Sequence, residues 1–213
     1  MLRDAGVALI QEQLAFRTTL SSNIVTWMQL AQTTLEKGPT KPWFLVSEDT
    51  FTTTVSGEER VSLPLTFLQE VEDATFKYRP STWPDEPEVD LVKDEYDVLR
   101  RNYRGSEAGP PEAYALLGDY FRLFPTPDDA YAVRLIFYEM DDVLSTNIEN
   151  RWLKEVPLLL LGSAGLMISG STVTPSAKAN FQDWVNTGLK VVHAHDVSRE
   201  MANRVMQVGG PAV

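Results

Sequence analysis

The sequence predicts an α+β fold in which long N- and C-terminal helices form a bundle and an antiparallel β-rich module is inserted between them. Three observations predict it. Apolar residues recur at close to a 3.6-residue period near both ends of the chain, at Val7, Ile10, Leu14, Leu20, Ile24, Trp27, Met28, Ala31 and Leu35 and again at Phe181, Trp184, Val185, Leu189, Val192, Met201, Val205 and Val208. Between them, Tyr131, Val133, Leu135 and Phe137 alternate with Ala132, Arg134, Ile136 and Tyr138, the two-residue period of a strand. Turn-forming clusters at Ser56-Gly57, Gly118-Asp119 and Pro125 to Asp129 punctuate the middle of the chain. The expected division is 1–41 with 141–208 as the helical bundle, 42–140 as the β-rich insert, and 209–213 as a C-terminal tail.

Taken in order, residues 4–36 read as one long helix, weakened in the middle by Thr18, Thr19, Ser21 and Ser22 and stopped by Lys37-Gly38-Pro39. Trp43-Phe44-Leu45-Val46 is a bulky run that suits a buried strand. Thr50 to Val55 is β-branched, Ser56-Gly57 a turn, and Arg60 to Leu63 the returning strand before Pro64. Glu72 to Tyr78 is a further strand, with Ala74, Phe76 and Tyr78 on one face. Pro80, Pro84 and Pro87 among carboxylates make 80–90 a loop. Lys93 to Tyr103 reads as a short helix and 104–111 as a loop.

A three-strand meander follows: Ala113 to Leu117, the turn Gly118-Asp119, Tyr120 to Phe124, the turn Pro125 to Asp129, and the strand from Tyr131, central in its sheet because both faces are apolar. Asn147 or Asn150 caps the next helix, and Pro157 suits the first position of a leucine-rich one. Gly162, Ala164 and Gly165 leave room for a second helix to approach. Gly170-Ser171-Thr172 breaks the chain. Thr174-Pro175 then caps a helix over 175–207.

Size and charge narrow the function. The 213 residues include no cysteine, which removes disulfides, thiolate metal sites and cysteine nucleophiles and fits a reducing cytoplasm. The net charge is −11, with no strongly basic window, which disfavours tight nucleic-acid binding by the isolated subunit. No signal-peptide pattern opens the chain. The most apolar stretch, Val156 to Ile168, is shorter than the roughly 20 residues a membrane span needs, so no membrane association is expected.

Chemistry-bearing motifs are sparse. His193 and His195 form His-Ala-His, but on a helix two such residues diverge by about 200°, so they read as surface or packed histidines rather than ligands. Asp85-Glu86-Pro87-Glu88-Val89-Asp90 lacks calcium-loop spacing and reads as a solvated acidic loop. Asp128-Asp129 and Asp141-Asp142 sit by turns, where aspartate serves the backbone. Gly162-Ser163-Ala164-Gly165 lies in a helix, unlike a nucleophile elbow, and no phosphate loop, dinucleotide fingerprint or zinc motif occurs. Neither catalytic residues nor a cofactor or metal site are expected. Of Trp27, Trp43, Trp83, Trp152 and Trp184, Trp83 is the best interface anchor, because its loop is proline-rich.

One ordered pattern is more specific. Leu123-Phe124-Pro125-Thr126-Pro127 precedes a strand, and Asn150-Arg151-Trp152-Leu153 precedes the leucine-rich helix; upstream, a long helix leads to Lys41-Pro42-Trp43-Phe44-Leu45. This arrangement resembles the head-to-tail adaptor (connector) proteins of short-tailed bacteriophages, the SU10 adaptor family. The resemblance implies a structural virion subunit at the head–tail junction, assembled in the bacterial cytoplasm. It implies a homo-oligomeric ring, typically of about twelve copies, joining the portal protein to the tail nozzle or tail tube. Double-stranded DNA would pass through the ring without specific binding.

In such adaptors a C-terminal helix or tail reaches the portal. That role falls here to 190–213, with Met201, Arg204, Val205, Val208 and Val213 as candidate portal-facing residues. Trp83, Tyr103 and Arg104 are the candidates for contact with the tail or a neighbouring copy. The alternative is a ligand- or peptide-binding domain that uses the β-rich module.

Overall fold

The structure, a computed structural model, describes residues 1–14, 21–39, 41–71, 76–80, 87–145, 150–168 and 173–208. The chain forms two compact units, a helical unit of 1–45 with 140–213 and a β unit of 46–139.

In the helical unit, α1 spans Arg3–Gln13 and α2 spans Ser21–Lys37. The expected single helix over 4–36 is therefore two: α1 closes at Leu14, whose backbone has left helical geometry (φ −90°, ψ 18°). Ser21 and Ser22 open the second helix rather than interrupt one, and Thr18 and Thr19 lie outside the described residues. The expected strand at Trp43-Phe44-Leu45-Val46 is corrected too. Trp43–Leu45 is one 3-10 turn, and only Val46 opens a strand. Bulk signalled burial there, not extension: Leu45 is fully buried and Phe44 meets Trp152 edge-on.

The short helix α4 spans Arg151–Glu155 and is capped by Asn150, whose side chain accepts from the Trp152 and Leu153 amides. Pro157 opens α5 (Pro157–Ile168), where its missing N–H costs nothing. The last helix, α6 (Pro175–Val208), starts behind Thr174, whose hydroxyl accepts from the Ala177 amide. The N- and C-terminal helices do not pack mainly on one another: α5 lies between them, with α1 and α2 against it and α6 crossing it.

That crossing depends on three glycines. A Cβ on Gly162 would lie 2.7 Å from the Phe181 carbonyl oxygen, one on Gly165 2.3 Å from the Phe181 ring, and one on Gly188 2.5 Å from Leu159 Cβ. The backbones approach more closely than any side chain there would allow.

The β unit holds two sheets. The first is built on β9 (Tyr131–Glu139). One edge of β9 pairs with β1 (Val46–Thr53). The other is shared end to end by β3 (Phe67–Glu70) and β4 (Lys77–Pro80), and β5 (Val89–Asp90) pairs with β4. The second runs β2 (Arg60–Ser62), β8 (Tyr120–Phe124), β7 (Ala113–Leu117), β6 (Val92–Lys93), with β6 parallel to β7. The β7–β8 hairpin closes through Gly118-Asp119, with Gly118 at φ +70°.

Several sequence expectations change here. The strand at Arg60 does not return beside β1 but joins the other sheet, and the third strand of the expected meander, β9, also lies in the opposite sheet from β7 and β8. Of the expected strand at Glu72 to Tyr78, residues 72–75 and hence Ala74 lie outside the described residues. The expected loop over 80–90 is partly strand: β4 runs through Pro80, and β5 and β6 follow 87–88. Only Leu91 separates β5 from β6, so this segment steps from one sheet to the other, with Leu91 buried at the corner.

The two sheets share one core of Val61, Phe76, Tyr114, Phe121, Leu123, Val133, Leu135 and Phe137. Phe76 stacks on Tyr114 and meets Phe121 edge-on. On the outer face of β7 and β8 lies α3 (Tyr96–Asn102), which seats Tyr96, Leu99 and Tyr103 against Ala113, Ala115 and Phe124.

Candidate interaction surfaces

The densest polar site of the helical unit surrounds Asn150-Arg151-Trp152-Leu153. Glu36, on the last turn of α2, is buried at 4% exposure, yet its carboxylate is well supplied with donors. It accepts from the Trp152 indole N–H (3.1 Å), the Asp141 amide (3.1 Å) and Gln32 Nε2 (2.9 Å). A buried carboxylate needs such donors, because unpaired burial costs several kcal/mol. Asn150 Nδ2 donates to the Asp142 carbonyl (2.7 Å) and to Gln32 Oε1 (3.3 Å). Arg151 donates to Asp141 Oδ1 (2.9 Å) and to the Phe44 carbonyl (3.0 Å). Lys41 donates to the carbonyls of Glu36 and Gly38, and burial, partly opposed by Glu36, lowers its pKa.

Each letter of the Asn-Arg-Trp-Leu sequence thus has a separate task. The cap, the ion pair, the indole donor and the buried leucine together hold 41–45 and 140–142 against α2 and α4. These are the segments by which the chain leaves and rejoins the helical unit.

The second quoted pattern, Leu123-Phe124-Pro125-Thr126-Pro127, does similar work in the β unit. Leu123 and Phe124 are buried, and the Phe124–Pro125 bond is cis. The Thr126 carbonyl accepts from the Gly109 amide (2.9 Å) and the Pro127 carbonyl from the Gly57 amide (2.8 Å), so one turn holds two loops.

The sequence model of the SU10 adaptor protein family matches residues 2–199. This chain belongs to that family. No curated protein matches it.

For this SU10-family chain, the sequence-derived interface residues fall in different places. Met201, Arg204, Val205 and Val208 continue the backbone of α6, but their side chains lie outside the described residues, as does the whole of Val213. Trp83 also lies outside them. Upstream on the same helix, Leu189, Val191 and Val197 are large, apolar and 42–50% exposed. Tyr103 is half-buried beneath α3 against Phe124, its hydroxyl donating to Glu112 (2.9 Å); burial first, then that carboxylate, raises its pKa. Arg104 is exposed beside Arg100 and Arg101.

The histidines separate as a helix requires. His195 stacks on Trp43 with ring centroids 3.7 Å apart, and its Nδ1 is enclosed without a partner among the described residues, while His193 is exposed. Among the described residues no group of three or more His, Asp or Glu gathers to hold a metal ion, and no helix is long and apolar enough to cross a membrane. The paired aspartates serve turns and backbone. Asp129 accepts from the Ala130 amide, Asp128 from the Tyr131 hydroxyl, and Asp141 from the Asp142 amide. The described part of the acidic segment is not simply solvated, since Glu88 pairs with Arg134 (3.0 Å) and Asp90 with Lys77 (3.1 Å).

Proposed function

We propose that this adaptor chain is a non-catalytic structural subunit that closes into a ring, of about twelve copies, between the portal and the tail nozzle or tube of a phage particle. The observation that carries the reading is the family match across 2–199. The fold supports it physically. At 1.5 Å per residue, the 34 residues of α6 make a strut of about 51 Å, stiffened by its glycine-mediated crossing with α5. Its exposed Leu189 borders the segment assigned to the portal, 190–213 with Met201, Arg204, Val205, Val208 and Val213, and the exposed Val191 and Val197 lie within it. In this reading DNA slides through a lumen that carries net negative charge, since like charge repels the phosphate backbone.

The test is electron microscopy of the purified chain mixed with the cognate portal ring. A coaxial ring with 190–213 ordered against the portal is expected. Absence of association with the portal overturns the adaptor reading, and a lumen lined mainly by Lys and Arg overturns the account of DNA passage.

A further inference from the structure

The β unit contains nine lysines and arginines against twenty aspartates and glutamates. Six of the nine cations are satisfied within the unit. Lys77 pairs with Asp90, Lys93 with Glu70, Arg122 with Glu59 and Arg134 with Glu88. Arg60 lies over the Tyr120 ring and Arg79 over Phe51. The three that remain are Arg100, Arg101 and Arg104. Among the described residues none of them has a carboxylate within ion-pair distance, and all three are exposed.

Their placement follows from helical geometry. Tyr96 and Leu99 take the inner face of α3, continued by its C-cap Tyr103, so Asp97, Arg100 and Arg101, spaced i, i+3 and i+4, share the outer one, and Arg104, in the turn just past the helix, lies beside them. These four line a single open recess of about 740 Å³. Among the described residues, the only bond holding any of the guanidinium groups is Arg101 Nε to the Asp97 carbonyl (3.1 Å).

We infer that this face of α3 is the cationic half of the contact between neighbouring copies, and that it takes exposed carboxylates of the next copy's β unit. The inference rests on the ring reading above and names a contact within it. A head-to-tail interface joins two different patches of the same chain, so one copy must carry both halves. This chain does: Glu48, Glu58, Glu107 and Asp119 are exposed and, among the described residues, without an ion-pair partner. Side by side, units of net charge −11 repel one another unless unpaired cations stand at the seam.

A protein carboxylate fits the face better than a DNA phosphate does. Asp97 shares the recess and Asp94 and Glu95 precede it, a mixed pattern that a mixed protein surface complements, whereas a phosphate backbone meets the unit's net negative charge. Guanidinium groups also engage carboxylates through two parallel hydrogen bonds.

The test titrates the full chain onto the cognate portal ring and counts copies per ring by native mass spectrometry. The charge-reversed variant Arg100→Glu/Arg101→Glu/Arg104→Glu is compared with wild type, and the milder Arg100→Gln/Arg101→Gln/Arg104→Gln serves should reversal impair folding. Wild type is expected to fill rings cooperatively. The variants are expected to leave them partly filled, with a midpoint shifted roughly tenfold, and raised salt should bring wild type toward the variants. Filling by both variants at the wild-type midpoint overturns this inference and leaves the adaptor reading standing. Failure of wild type itself to bind the portal overturns the adaptor reading and this contact together. A labelled DNA duplex that binds wild type and not the variants, with ring filling unchanged, reassigns the face to nucleic acid and overturns the contact.

Discussion

The helical unit and the β unit differ most in charge. The helical unit carries ten cationic and ten anionic side chains, whereas the whole net charge of −11 belongs to 46–139. Their interiors differ in parallel. The helical unit allows buried polar groups, Glu36, Gln32 and Asn150, and satisfies each with named donors and acceptors. The β unit fills its interior with stacked aromatic rings, and enclosed polar groups such as Thr54 and the Glu70 carboxylate lie at the margins of that core. The contrast implies that associations of the two units respond to different conditions. Contacts through a neutral surface depend on apolar burial and tolerate salt. Contacts through the β unit are screened over about 8 Å at physiological ionic strength.

Substitutions in each unit test this difference. The largest effect is expected from Phe121→Ala, which empties the centre of the aromatic core and should cost about 4 kcal/mol by denaturant unfolding; a loss under 1 kcal/mol would show that the two sheets do not share that core. Glu36→Ala removes the common acceptor of Trp152, Asp141 and Gln32, and a loss of about 3 kcal/mol is expected, with Glu36→Gln intermediate. Equal stability of both variants and wild type would mean that the polar site holds nothing in place. Gly188→Ala forces a methyl group into Leu159, and should cost about 2 kcal/mol through separation of α5 and α6. An unchanged melting temperature in that variant would contradict the close crossing.

The smallest effect is alkaline. Tyr114 is buried and donates to Glu70 (2.5 Å); burial and then that carboxylate raise its pKa above the ordinary 10.0. Between the two values the unfolded chain has released a proton that the folded chain keeps. Stability from this group is therefore complete below pH 10 and falls as pH rises beyond it, by up to about 1.4 kcal/mol per pH unit. Tyr114→Phe should make the decline above pH 10 shallower, and an unchanged slope would remove Tyr114 as its source.

Local structure was legible where a single segment determines it. The β7–β8 hairpin, the alternation of β9, the start of α5 at Pro157 and the cap at Thr174 all follow from residues within a few positions of each other. Sheet membership was not legible, because the pattern of Arg60–Ser62 or Tyr131–Glu139 records that a strand exists but not which partner closes its hydrogen bonds. Trp43-Phe44-Leu45 misled because bulky apolar residues report burial alone. Glu36 and Gln32 look like surface residues of a helix end, and only the chain returning at 140–152 makes them interior.

The outer face of α3 did leave a signal, the spacing 97, 100, 101, 104. Averaged over a window with Asp94, Glu95 and Asp97, its cations cancel. Of the interface residues named from sequence, Arg104 lies beside that face and Tyr103 turns inward beneath it.

The strands that begin and end the β unit, β1 and β9, are antiparallel neighbours, with Val46 opposite Tyr138. Residues so paired have Cα atoms only about 5 Å apart. The module therefore begins and ends at nearly one point, like a cassette on a single mount. A lineage can lengthen, shorten or replace what lies between those positions without altering the path of the host chain. An engineer can do the same, joining Leu45 to Met140 through a short glycine-rich link to obtain the helical part alone, or placing a foreign β module on the same two anchors.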